Sequence, residues 1–179
     1  TGIIITLPGK PEHARALPPW FSRTVTRARS VPAVTGACCL IERALWQQLG
    51  GFDEGFVNGG EDVDLCYRAR AAGRETVVAL RSLVRHHVSS SPGRKLRDEQ
   101  NSFRLAGRWR SEFIRDATRA WCYDYLRRIL PSPHTRDHVL ARQTLYHAAG
   151  WTSKAPVPAI MEIRAAQQRE FDRWEKMCP

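Results

Sequence analysis

Two acids and a histidine carry most of the chemical information in this sequence. Glu61-Asp62 opens a helix-patterned stretch, and His86-His87 closes a short apolar run, with Asp62 and His86 lying 24 residues apart. One helix plus one strand fill that spacing, so a carboxylate at a helix start and an imidazole at a strand end can face one site. At a helix start the unpaired N–H groups and the dipole favour negative charge. An acid there is either a functional base or a capping residue. Gly59-Gly60 just ahead of it permits close backbone approach to a ligand. Neutral imidazole is a common metal ligand, and on an alternating strand His86 shares a face with Val84, which favours it over His87. One histidine does not hold a metal, so substrate phosphates or another segment must supply oxygens. Arg94 and Lys95 follow in a serine-rich loop, where cations suit a diphosphate that arrives and leaves. A solvated loop is the plainer reading of the same residues.

These groups need elements to hold them. Gly2–Leu7 reads as a strand, and Pro8–Trp20 as a loop punctuated by Pro8, Pro11, Pro18 and Pro19. Ala33–Ile41 is a continuous apolar run that predicts a buried strand. Glu42–Leu49 predicts a short helix capped by Gly50-Gly51, and Phe52–Gly60 a glycine-rich loop. Asp62–Ala72 predicts a helix with Val63, Leu65, Cys66 and Ala69 on its apolar face and Arg68 and Arg70 toward solvent, ended by Gly73. Thr76–Leu80 and Ser82–Val84 are strand-like. From Asp98 the pattern is helical, with further helices over 136–149 and after a Gly150–Pro158 linker. The apolar stripes of these C-terminal helices read as packing surfaces. The expected organisation is an α/β part over residues 1–110 and a helical extension over 111–179.

The 179 residues suffice for a real core, and no apolar run approaches the roughly 18 residues of a membrane span. Lys and Arg total 28 against 18 Asp and Glu, for a net charge of +10, and the basic residues are mostly arginine. That balance fits a solvated surface, an anionic substrate or an anionic membrane surface. Nucleic acid is not expected as a partner, because no recognition motif or zinc-ligand spacing accompanies the charge. Five cysteines form no CxxC pair, which fits buried free thiols in a reducing, cytoplasmic compartment.

Taken in order, Val34-Thr35-Gly36-Ala37-Cys38, Gly50-Gly51-Phe52-Asp53-Glu54, Glu61-Asp62-Val63-Asp64-Leu65-Cys66-Tyr67-Arg68, Gly73 and Val84-Arg85-His86-His87 resemble the second half of the catalytic domain of family 2 glycosyltransferases. The nearest resemblance is to the rhamnosyltransferase-like branch that builds bacterial cell-surface glycans. The resemblance covers about residues 1–110. It implies an α/β, partial GT-A fold followed by the helical C-terminal extension, and a hexosyltransferase-like enzyme. Asp62 would be the catalytic base in a single inverting displacement, with Glu61 positioning it or the acceptor. Thr35, Gly36 and Ala37 would line the donor sugar, and Gly51, Phe52 and Asp53 the acceptor side. His86 would help hold a divalent metal, Mg or Mn, bound mainly through the nucleotide diphosphate. The implied partners are a nucleotide-sugar donor and a glycan or other hydroxyl acceptor. The implied place is the cytoplasm, including the inner face of the membrane.

The sequence departs from the family pattern in one important respect. The family's nucleotide-binding half ends in an Asp-x-Asp motif, and no Asp-x-Asp precedes Thr35 here; Asp62-Val63-Asp64 belongs to the later helix. The expectation is therefore a fragment lacking the nucleotide-binding half, poorly active alone, that works with that half or a partner chain. The competing expectation is a non-catalytic interaction module built from the same fold.

Overall fold

The computed structural model describes residues 2–14, 28–82, 97–129 and 137–177. It is a mixed α/β structure with two small sheets and a majority of helix. The elements run β1 (Ile3–Ile5), β2 (Pro11–His13), β3 (Ala28–Ser30), a single 3₁₀ turn (Gly36–Cys38), α1 (Arg43–Leu49), α2 (Glu61–Ala71), β4 (Val77–Ala79), α3 (Asp98–Ile129), α4 (His138–Ala148) and α5 (Val157–Met177). The helix α3 is interrupted at Trp109, whose φ of −118° and ψ of 26° are not helical. The chain divides there into two units: Thr1–Ile4 with Pro11–Arg108, and Ile5–Lys10 with Trp109–Pro179.

In the first unit, β3 pairs antiparallel with β4, setting Ala28 opposite Ala79 and Ser30 opposite Val77. An isolated bridge joins Ile3 to Ala33. Ile3, Val31, Ala33, Leu45, Phe56, Val63, Leu65, Cys66, Tyr67 and Ala69 are buried. Each large apolar side chain among them contributes roughly 1.5–3 kcal/mol of transfer free energy. All four residues expected on the apolar face of the second helix are in this set. Gly50, in the left-handed region at φ 76°, caps α1 and donates its N–H to Gln47 O.

Three expectations are corrected. The run Ala33–Ile41 is not a buried strand: after Ala33 it breaks into the 3₁₀ turn, and Gly36–Leu40 are exposed. An unbroken apolar run specifies burial only if a neighbouring strand pairs with it, and among the described residues the bridge to this run stands at Ala33. Cys38 and Cys39, expected as buried thiols, are therefore exposed, whereas Cys66 and Cys122 are buried. The proline-rich stretch after Pro8 includes strand β2, which Pro11 opens; proline is tolerated at the first residue of a strand because no ladder bond is lost.

In the second unit, α5 buries Ala159, Ile163, Ala166, Gln167 and Trp174 along one stripe. Lys10 pairs with Glu170 at 2.9 Å and lies over the Trp174 ring at 5.6 Å. Asp137 caps α4, accepting from Val139 N at 2.9 Å and Leu140 N at 3.1 Å, a cap that stabilises a helix by about 1 kcal/mol.

Candidate functional site

The site begins at the N-terminus of α2. Gly60 stands in the N-cap position at φ 95°, and a Cβ there would meet Phe56 Cδ1 at 3.0 Å and Leu105 Cδ1 at 3.2 Å. Only glycine combines that backbone with so close a contact. Glu61, Asp62 and Asp64 fill the first turn, where the helix dipole favours acids. Asp62 Oδ1 accepts from Val63 N at 2.8 Å, and Oδ2 accepts from Gly36 N at 2.8 Å across 26 residues of chain. The second bond ties the 3₁₀ turn to α2. Thr35 shapes that turn by accepting from Ala37 N at 3.4 Å. Beneath it, Val34 N donates to Cys66 Sγ at 3.5 Å, and burial pushes the Cys66 thiol up.

Phe52 completes the arrangement. Its Cζ lies 3.8 Å from where a Cβ on Gly36 would stand, and the Asp62 Cβ lies 3.3 Å from the same point. The Phe52 ring meets Trp46 edge to face, with centroids 5.0 Å apart. The structure thus gathers Thr35, Gly36, Ala37, Phe52 and Asp62 around one exposed turn. The Glu61 carboxylate has a buried oxygen, Oε2, without a hydrogen-bond partner among the described residues. An enclosed carboxylate oxygen in that condition is suited to receive a donor from a ligand.

Asp53 has a different environment. It accepts from Gly55 N at 2.8 Å, from Arg104 Nη2 at 3.1 Å and from Arg108 Nη1 at 2.8 Å. The Gly55 N–H first, and then the two guanidinium groups, hold its carboxyl at about 2. Arg108 also reaches Asp64 Oδ1 at 2.8 Å. Asp64 is 0% exposed and accepts from Arg68 Nε at 2.7 Å. Arg68 continues to Leu49 O at 2.6 Å and Gly51 O at 2.8 Å. Arg68 was expected to face solvent; it instead knits the loop after α1 to α2, because a buried carboxylate must be paired. Asn101 closes the loop's far end, donating to Val57 O at 2.9 Å and accepting from Val57 N at 3.4 Å. Sequence reasoning missed Asp64, Arg68, Arg104 and Arg108. The Asp64–Arg68 spacing of four was a usable signal for a helical pair; nothing local pointed to the two arginines of α3.

His86, Arg94 and Lys95 lie outside the described residues. Among the described residues no group of three or more His, Cys, Asp or Glu is placed to hold a metal. What the described geometry can do is present one carboxylate, held by two backbone N–H groups, beside an exposed glycine turn and an aromatic edge. Such a carboxylate can accept a proton from a hydroxyl brought to it.

Residues 21–111 match the family model described as glycosyltransferase-like family 2. Over 120 residues the chain is 34% identical to an N-acetylglucosaminyl-diphospho-decaprenol L-rhamnosyltransferase of Mycobacterium tuberculosis, an alignment covering 65% of this chain and 38% of that protein. It is 41% identical over 59 residues to the O-antigen biosynthesis protein RfbC of Myxococcus xanthus, covering 33% of this chain and 5% of that protein. An uncharacterized protein of Sinorhizobium fredii is 32% identical over 127 residues, covering 64% of this chain and 14% of its own length. The chain thus spans well under half the length of these relatives. No solved structure is matched.

Proposed function

The chain belongs to glycosyltransferase-like family 2, and from that premise we propose that it forms the acceptor side of an inverting glycosyltransferase in bacterial surface-glycan synthesis. In this reading Asp62 takes the proton of an acceptor hydroxyl as its oxygen attacks the anomeric carbon of a nucleotide sugar, and the nucleoside diphosphate leaves. The observation that carries the reading is the bond from Gly36 N to Asp62 Oδ2 at 2.8 Å. It fixes the base against the turn where Thr35, Gly36 and Ala37 would line the donor sugar. Two N–H bonds orient the carboxylate before any substrate arrives, which removes reorganisation from the proton transfer. Glu61 Oε2, enclosed and unpartnered among the described residues, would accept from the acceptor and aim its hydroxyl. Phe52 and Gly51 would form the acceptor wall. Asp53, its oxygens already engaged by Gly55, Arg104 and Arg108, would hold that wall in place and make no sugar contact.

A divalent metal, Mg or Mn, held mainly through the nucleotide diphosphate with help from His86, would stabilise the leaving group. Diphosphate recognition falls to Arg94, Lys95, His86 and a nucleotide-binding half contributed from outside these 179 residues. The relatives' greater length supports that division, and the exposed free thiols Cys38 and Cys39 favour a cytoplasmic setting.

The test is Asp62→Asn in the chain joined to its nucleotide-binding half, with nucleoside diphosphate release followed across a panel of nucleotide sugars and hydroxyl acceptors. Asparagine keeps one oxygen for the Gly36 N–H but cannot take a proton. A loss of about 10²–10⁴-fold in rate is expected, with a thermal midpoint near that of the parent. An unchanged rate would remove Asp62 from the chemistry, and absence of transfer by the parent across the whole panel would put the interaction-module reading in its place.

A further inference from the structure

The second unit carries an exposed aromatic patch built from none of the residues assigned to glycosyl transfer above. At the turn between α4 and α5, the Tyr146 and Trp151 rings stand 5.7 Å apart, and Trp151 N donates to Tyr146 O at 2.9 Å. Tyr123 of α3 reaches the same turn, donating its hydroxyl to Ala148 O at 3.0 Å. Arg119, one helical turn before Tyr123, brings Nη2 to 3.6 Å from where a Cβ on Gly150 would stand. Val139 and Arg142 extend the patch along the Tyr146 face of α4 by helical spacing. The aromatic and apolar members are strongly exposed: Trp151 is 73% accessible, Val139 58%, Tyr123 56% and Tyr146 43%. Two acids border the patch in sequence: Asp124 pairs with Arg128 at 3.1 Å, and Asp137 is engaged in capping α4 through Val139 N and Leu140 N.

We propose that this arginine-flanked aromatic patch docks the protein onto an anionic lipid bilayer. Trp and Tyr rings combine an apolar body with a polar edge and settle at the headgroup level. Valine beside them gains by leaving water for acyl chains, an occupant's feature that a nucleic-acid backbone does not offer. Arg119 and Arg142 match headgroup phosphates in bidentate fashion. Charge complementarity decides against a second copy of the chain, because two molecules of net charge +10 repel, whereas an anionic leaflet attracts. No helix of the described residues is long and apolar enough to cross a membrane, so the mode is surface docking. Arginine near such a surface strengthens partition about fivefold per residue at low salt.

The experiment is sedimentation of the whole 179-residue chain with vesicles of phosphatidylcholine containing about 30% phosphatidylglycerol, against pure phosphatidylcholine. Binding is expected to the anionic vesicles alone and to weaken as salt shortens the Debye length. Arg119→Gln with Arg142→Gln is expected to reduce partition more than tenfold. Tyr146→Ser with Trp151→Ser should do the same. Arg74→Gln, an exposed arginine of the first unit, should change it less than twofold. Brominated acyl chains should quench tryptophan emission in the parent and distinctly less in Trp151→Phe, a conservative variant that preserves folding. Absence of vesicle binding would overturn the proposal. So would equal binding by all variants, a mass change on sedimentation showing self-association through the patch, or a preference for RNA over vesicles.

Discussion

Replacing Arg108 with methionine tests whether the pairing around Asp64 holds the candidate site together. Methionine keeps an unbranched stem of helix-compatible shape and removes the guanidinium. Asp64 is 0% exposed and loses the 2.8 Å bond to Arg108 while keeping Arg68 at 2.7 Å. Asp53 keeps Gly55 N and Arg104. A hydrogen bond to a charged group contributes about 1.5–3 kcal/mol. Arg108 is 38% exposed, so water entering at its position offsets part of that loss. The expected net cost is about 1–2 kcal/mol. For a unit of about a hundred residues this lowers the unfolding midpoint by roughly 5–12 °C. The assay is thermal unfolding of the parent, Arg108→Met, Asp64→Asn and the double variant. A coupling energy of about 1 kcal/mol or more is expected, because both single variants disturb one ion pair. A midpoint within a degree of the parent, or additive losses in the double variant, would refute the claim that Arg108 stabilises Asp64.

Three further outcomes follow from the same structure. Asp53 has its carboxyl lowered from 3.8 to about 2, so its contribution is present above pH 3.8 and is lost as pH falls toward 2. It amounts to at most roughly 2 kcal/mol before solvent screening. An acid titration of stability should therefore flatten over that window in Asp53→Asn, and an unaltered profile would sink the assignment. Gly60→Ala places a Cβ 3.0 Å from Phe56 at a φ of 95°, which should destabilise by about 1–3 kcal/mol in denaturant unfolding; a neutral result would mean the loop can shift. In a Cys178→Ser background, Cys38 and Cys39 should react quickly with a thiol reagent at pH 8. Cys66 and Cys122 should wait for unfolding, since both are buried and burial raises both thiols, that of Cys122 to about 11.

Local signals were reliable where a short stretch of chain decides its own conformation. The glycines at 50 and 73, the first-turn acids of α2 and the apolar spacing of Val63, Leu65, Cys66 and Ala69 are all statements about neighbouring residues. Each was legible because caps and amphipathic periods act within one or two turns. The order of motifs also sufficed to identify the family, because motif order is a property of the linear chain. The run from Ala33 to Ile41 was misread because hydrophobicity alone does not say whether a partner strand is present. The bond between Asp62 and Gly36, the edge of Phe52 against the same turn, and the reach of Arg108 to both Asp53 and Asp64 join residues 16 to 55 positions apart. No local rule encodes them. The reach of Arg108 exists because burying Asp64 demands compensating charge, and only the folded arrangement determines which arginines supply it.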